Sequence, residues 1–170
     1  MIIRRVTSDD LPAQALADLL VDVVDGGASV GFLRGLTRPV AAAFWWTLEP
    51  AVENGTLLLW VAEVDGRVVG TVQVRLATLP NSRHRAELAK LLVHRSARGR
   101  GIGKELMRTA EEAARDEGVT LLLLDTETGS PAEGVYTSLG WTTLGVIPDY
   151  ALSPDGVLSP TTFLYKAIDP

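Results

Sequence analysis

The chain has no cysteine and only two histidines among its 170 residues. Without a thiol it forms no disulfide framework and no covalent cysteine intermediate, so for any group transfer direct attack in a ternary complex is the simplest mechanism. His84 and His94 lack the close carboxylate spacing of a ligand set, and no metal is expected. Long apolar runs are missing too. Hydrophobic residues make up 46% of the chain, yet a run such as VAAAFWW, residues 40–46, falls far short of the roughly 20 residues of a membrane span. The start, MIIRRVTSDD, carries no basic-then-apolar leader, so a soluble, cytoplasmic protein without a membrane partner is the expectation. Repeats, low-complexity tracts and linker-like stretches are absent as well, and one domain over residues 1–170 is expected.

Positive charge is scarce except in one place. The net charge is −5, but Lys90, Arg95, Arg98, Arg100 and Lys104 follow one another with no acidic residue between them. So short a basic patch on an acidic chain suits one small polyanion; a nucleic-acid duplex calls for a broad basic face, and no nucleic-acid partner is expected.

Periodicity orders the rest. MIIRRV predicts a strand, and TSDDLPAQALADLLVDVV a helix, with Thr7 and Asp10 as a capping box and Leu16, Leu19, Leu20 and Val23 as the apolar stripe. A second helical stretch runs from about Pro39 to Val52 and stops near Pro50 and Gly55. TLLLWVAEVDGRVVGTVQVRLA predicts two strands about Asp65-Gly66, turn residues that tolerate positive φ. AELAKLLVH reads as a strand, Ile102 to Glu117 as a helix closed by Gly118, and VTLLLLDT as a buried strand. Residues 86–125 therefore make strand, glycine loop, helix, strand, a crossover whose two strands lie parallel. Ser130, Pro131 and Glu133 take the N-cap, N1 and N3 places of a short helix that carries Tyr136 and ends at Gly140. The tail predicts two strands about a Pro-Asp-Gly turn. The class is α/β, a mixed sheet with helices on its faces.

The stretch HRSARGRGIGKELM, residues 94–107, lies where that crossover turns from strand to helix. Unpaired amides and the helix dipole favour an anion there, and Gly99, Gly101 and Gly103 remove the side chains that would hold a phosphate off. A P-loop would need glycine at Arg98 and Ser or Thr at Glu105, and a dinucleotide fingerprint would need glycine at Lys104 or Leu106; both fail.

What fits is Arg-x-x-Gly-x-Gly, Arg98 to Gly103. It resembles the acetyl-coenzyme A signature of the GCN5-related N-acetyltransferase (GNAT) family, and LLLLDTETGSPAEGVYTSLGW resembles that family's later strand and helix, with Tyr136, Gly140 and Trp141 in their places. The resemblance implies a central, mostly antiparallel sheet of about seven strands, with the two crossover strands parallel and splayed around the cofactor. It implies acetyl-CoA as cosubstrate, held by Arg98, Gly99, Arg100, Gly101, Ile102, Gly103 and Lys104, and a backbone N–H from Val93, or Leu92 beside it, on the thioester carbonyl. HRAELAKLLVHRSARGRGIG with IPDYALSPDG resembles the tabtoxin-resistance branch, whose members acetylate a small amino-acid-like toxin.

Acetyl transfer to an amine needs a neutral amine, a polarised carbonyl and an acid for the leaving thiolate. By resemblance Tyr136 is that acid; because a thiol leaves fairly well unaided, its loss should slow the reaction without abolishing it. Two carboxylates stand as the base. Asp125 ends an apolar strand parallel to the cofactor strand, where ligands of such sheets gather, and Glu87 opens the strand where the family often has a glutamate. A solvated, outward position is the competing reading for both. His84 and Trp45 are candidates for the substrate cleft, although Trp45 and Trp46 face about 100° apart and at least one belongs to the core. Asp149 and Tyr150 are further specificity candidates. At the start of the short helix, where the family has a cofactor-contacting asparagine, this chain has Ser130. GASVG, residues 27–31, matches a nucleophile elbow but follows a helix, so it reads as a loop. The expected function is acetylation of a primary amine on a small molecule by a monomer or homodimer; an acetyl-CoA sensor and a protein acetyltransferase are the rivals.

Overall fold

The computed structural model describes residues 1–169. Seven strands form one sheet: β1 (Ile2–Arg5), β2 (Leu57–Val64), β3 (Arg67–Leu76), β4 (Arg85–Val93), β5 (Leu121–Glu127), β6 (Thr142–Leu152) and β7 (Leu158–Ala167), ordered β1-β2-β3-β4-β5-β7-β6. Every neighbouring pair is antiparallel except β4 and β5, which run parallel as the crossover requires. The helices are α1 (Ala13–Asp25), α2 (Arg38–Trp46), α3 (Glu49–Glu53), α4 (Ile102–Asp116) and α5 (Pro131–Ser138).

Two hydrophobic clusters, one on each face of the sheet, follow from the alternation of strand side chains. On one face Val72, Val74, Leu88 and Leu122 pack with Leu106, Met107 and Ala110 of α4. On the other, Leu59, Val61 and Leu92 meet Leu16, Leu20 and Val23 of α1 and Trp45 of α2. Each such side chain removed from water contributes about 1.5–3 kcal/mol. The β2–β3 turn has positive φ at both Asp65 (50°) and Gly66 (73°), as the hairpin reading required. Among the described residues no helix is long and apolar enough to cross a membrane.

Three local readings change. The predicted helix over residues 39–52 is two helices, broken at Thr47 and Leu48; Pro50 has no amide to continue the ladder. Thr7 and Asp10 do bond, with the Asp10 carboxylate accepting from the Thr7 amide at 2.7 Å, but they close a short 3₁₀ turn ahead of α1 and do not cap α1. Ser130 occupies the N-cap of α5 without a capping bond; its hydroxyl pairs with that of Thr126 at 3.1 Å, and Glu133 takes the Gly129 amide instead.

Candidate active site

The site begins where β4 leaves β5. Their pairing covers Arg85–Glu87 against Leu121–Leu123 and then stops, so the strands diverge toward their C-terminal ends. A bulge helps. Against β3, Gln73 faces Ala89 and Thr71 faces Leu92, which leaves one surplus residue in β4, and Lys90 takes up the strain at φ 50°. Beyond the bulge, His94 donates its amide to the Val69 carbonyl at 2.8 Å. By the alternation of an antiparallel ladder, the neighbouring Val93–Gly70 pair is unbonded, and the polar groups of Val93 turn toward the opening. The Val93 carbonyl accepts from Arg98 Nε at 3.2 Å.

The glycine loop closes one end. Gly99 (φ 77°) and Gly101 (φ 78°) are left-handed, and a Cβ on either would meet nothing within 4 Å, so it is backbone conformation that calls for glycine there. Gly101 is the N-cap of α4, which leaves the amides of the first helical turn without intrahelical acceptors. A phosphorylated ligand fits this geometry: free donors, a positive helix end, and Arg98 and Lys104 beside them.

A cavity of about 930 Å³ runs from this loop through the opening between β4 and β5 to the α1 side of the sheet. Leu92, Val93, Arg98, Gly99, Gly101, Ile102, Gly103 and Lys104 line it at one end, and Glu87, Asp125 and Tyr136 along its length. Arg100 is exposed and lies outside the lining. The loop over residues 26–31, which contains the GASVG stretch, forms part of the wall, as do Ser130 and Tyr150. Tyr150 stacks edge-on against Phe163 with centroids 5.2 Å apart, while Asp149 adopts φ 52° and does not line the cavity.

Charge is unevenly spread along this cavity. Tyr136 is 7% exposed, and its burial, then the charge of Asp125, push the phenol well above its ordinary value, so it stays protonated at neutral pH. Lys90 is pushed down, first by burial and then by Arg75, against the opposing pull of Asp125 and Glu87. Glu87 faces Arg75 at 3.7 Å, and both side chains remain substantially exposed.

Two candidates from sequence do not reach the cavity. Trp45 is fully buried among α1, α2 and the sheet, and its neighbour Trp46 points to solvent. His84 sits before the first residue of β4, at the opposite end from the glycine loop, where its carbonyl accepts the amides of Thr120 and Leu121. His94 bonds Ser96 through Nδ1 at 2.9 Å and lies 3.5 Å from Asp22, a structural position.

Sequence reasoning missed Lys90 and Arg75, which the β3–β4 pairing places on one cavity, and Glu111. The Glu111 carboxylate, 8% exposed, accepts from Trp141 Nε1 at 2.9 Å and Lys166 Nζ at 2.6 Å, while Lys166 also donates to the Leu139 carbonyl at 2.8 Å. This bundle ties α4 to the end of α5 and to β7. A charged residue on the apolar stripe beside Met107, Ala110 and Ala114 was the available signal.

The GNAT acetyltransferase family model matches residues 32–141. Human N-acetyltransferase 8B is 42% identical over 88 residues, 51% of this chain and 39% of that protein. Rat N-acetyltransferase 8 is 39% identical over 90 residues, 51% and 40% of the two chains. These matches thus cover about half of this chain and only about two fifths of the curated relatives' own length. Among solved structures, ribosomal-protein-alanine N-acetyltransferase from Brucella melitensis superposes with a TM-score of 0.80 at 28% identity, covering 99% of this chain and 100% of that one. The protein yncA of Salmonella typhimurium, solved with its cofactor acetyl-CoA, has the same fold at a TM-score of 0.79 and 21% identity, covering 100% and 95%. With a strand opening, a glycine loop and a family match that coincide on the same residues, the chain belongs to the GNAT family, the acetyltransferases whose cosubstrate is acetyl-coenzyme A.

Proposed function

We propose that this protein is an acetyl-CoA-dependent N-acetyltransferase acting in the cytoplasm on the primary amine of a small molecule. One observation carries the reading: a single cavity joins the anion-binding loop at the start of α4 to two carboxylates and a buried phenol. Acetyl-CoA, when bound, supplies the thioester that is attacked. Gly101, Ile102, Gly103 and Lys104 offer main-chain donors for its pyrophosphate, with the guanidinium of Arg98 adding charge. The Val93 amide faces the opening and polarises the carbonyl oxygen, with Leu92 held in the core beneath it.

Asp125 and Glu87 bind the acceptor's ammonium and take its proton, which frees the nitrogen lone pair. As the new C–N bond forms and the C–S bond breaks, the protonated phenol of Tyr136 delivers a proton to the sulfur. Ser130, freed from capping and lining the cavity, stands where the family's asparagine would contact the cofactor.

A peptide acceptor is the second reading, favoured by the name of the Brucella relative. Against it stands a contact beside the cavity: Arg34 Nε meets Asp155 at 2.6 Å and the Arg34 amide donates to the Pro154 carbonyl at 2.8 Å, joining the α1–α2 connection to the β6–β7 turn, two segments whose neighbouring residues 28–31 and 150–151 line the cavity. The test is calorimetric titration with acetyl-CoA, paired with a thiol-release assay over small amines and N-terminal peptides. Binding with release from small amines supports the proposal. Release from peptides alone transfers it to the second reading, and absence of acetyl-CoA binding overturns both.

A further inference from the structure

The chain has three lysines, and the structure gives each a different neighbourhood. Lys166 is tied down, its Nζ donating to Glu111 at 2.6 Å and to the Leu139 carbonyl at 2.8 Å. Lys104 lies in the first turn of α4, at the phosphate end of the cavity. Lys90 lines the same cavity away from that loop. Its Nζ stands 5.7 Å from the centroid of Phe44, on the α1 side of the sheet, whereas α4 packs on the opposite face.

Lys90 therefore puts a primary amine of the protein itself where an acceptor amine must come. It is half-buried, sits at the bulge of β4 and precedes by three positions Val93, whose polar groups turn toward the opening. Among the described residues the Phe44 ring is its one close partner, and a turn of the four-carbon stem releases that contact. Asp125 and Glu87 act on it from farther off. Burial, then Arg75, hold the ammonium below the usual lysine range against the pull of those two carboxylates, which enlarges the share of neutral, nucleophilic amine. Asp125 acts on Tyr136 as well, so an amine, a carboxylate and the acid for the thiolate stand around one opening.

We propose that the protein acetylates its own Lys90 when acetyl-CoA is bound and no acceptor fills the cavity, and that the acetyl-lysine then obstructs the acceptor end. The inference rests on the acetyltransferase reading above and adds a modification site to it. The ammonium first loses one proton to solvent. The Nζ lone pair then attacks the thioester carbon, and the second proton passes to Asp125 as the C–N bond forms. The C–S bond breaks with its electron pair on sulfur, Tyr136 protonates the thiolate, and Asp125 returns its proton to the phenolate. The product side chain is uncharged, longer and no longer a nucleophile, so each chain reacts once.

The test incubates the full chain with acetyl-CoA and no added amine, following free thiol and then the intact and tryptic masses. About one equivalent of thiol per chain is expected before release stops, with the acetyl group on Lys90 and a rate independent of protein concentration. Lys90 should react at least about tenfold faster than Lys104 or Lys166, and Tyr136→Phe should slow it about tenfold or more, a dependence that uncatalysed acetylation lacks. Lys90→Arg should abolish the release while still binding acetyl-CoA in calorimetry. Acetyl groups spread evenly over the three lysines, a Lys90 rate that Tyr136→Phe leaves unchanged, or an unmodified Lys90 on a chain that binds acetyl-CoA would overturn self-acetylation and leave the transferase reading standing. Absence of acetyl-CoA binding overturns both.

Discussion

The carboxylate of Asp22, near the end of α1, accepts two hydrogen bonds from Arg95, one from the backbone amide and one from Nε, each at 2.9 Å. Arg95 opens the turn that leads into the glycine loop, so one side chain couples the acceptor wall to the cofactor loop. Burial works to raise the Asp22 carboxyl, but the bonds from Arg95, with the charges of His94 and Arg95, outweigh it and hold the group below its usual range. A carboxyl depressed in the folded state adds stability above its unfolded value near 3.9, and that contribution disappears as pH falls through the folded value. Asp22→Asn should therefore cost about 1–2 kcal/mol at pH 7 and less below about pH 4, measured by urea denaturation at both. An equal loss at the two pH values would show that the charge is immaterial.

Next to this pair, a Cβ on Gly26 would lie 2.7 Å from Arg95 Cδ, in a side chain that Asp22 holds in place. Gly26→Ala should lower stability by roughly 1–3 kcal/mol and weaken acetyl-CoA binding through the displaced turn. Thermal denaturation and calorimetry together check this; a variant with wild-type Tm and affinity would show that Arg95 moves aside freely.

Gly101→Ala probes the loop by conformation alone, since a methyl group there meets nothing. The left-handed φ of 78° should cost about 1–2 kcal/mol, relieved by turning the amides away from the ligand. The Kd for acetyl-CoA is expected to rise about tenfold. An unchanged Kd would remove the loop amides from the cofactor site.

Tyr136→Phe keeps the packing of the ring against Trp141, whose centroid is 6.2 Å away, and removes only the acid. The expected result is a kcat lower by roughly one to two orders of magnitude with the acetyl-CoA Kd almost unmoved. Because burial and Asp125 hold the phenol protonated, the wild-type rate should show no tyrosine limb below pH 10. A wild-type kcat in the variant would give the proton's delivery to water.

Glu111→Gln weakens the bundle that fixes the end of α5. Lys166 would be left partly buried without its charged partner, at a cost of about 2–4 kcal/mol, or roughly 5–12 °C in Tm. Differential scanning calorimetry measures the shift, and an effect within about 0.5 kcal/mol would demote the bundle to a surface contact.

The crossover and the hairpin were readable because local chemistry and pattern agree there. Gly99 and Gly101 mark left-handed backbone between an apolar strand and an apolar helical stripe, and Asp65-Gly66 admits one tight turn. The base candidates Glu87 and Asp125 could be nominated from strand ends alone. The side of a helix that Trp45 presents depends on how α2 is rotated against α1, and that is decided by packing, not by spacing. Lys90 and Arg75 stand fifteen positions apart in sequence and reach the same cavity only because β3 and β4 pair. Pro50 was legible as a stop signal, whereas the short helix that starts around it, with Pro50 in its first turn, was not.

The surplus residue of β4 has one more implication. From Ala89 to Leu92 the strand takes three steps while β3, from Gln73 to Thr71, takes two. β4 is thus read in two frames, one for its pairing near Glu87 and another for the stretch that presents Val93. Removing one residue between Ala89 and Leu92 would let the pairs Gln73–Ala89 and Thr71–Leu92 continue as one regular ladder, and the outward turn that the bulge gives β4 ahead of Val93 would be lost. At this place the count of residues carries information that their identities do not, and a substitution will be borne more readily than a deletion.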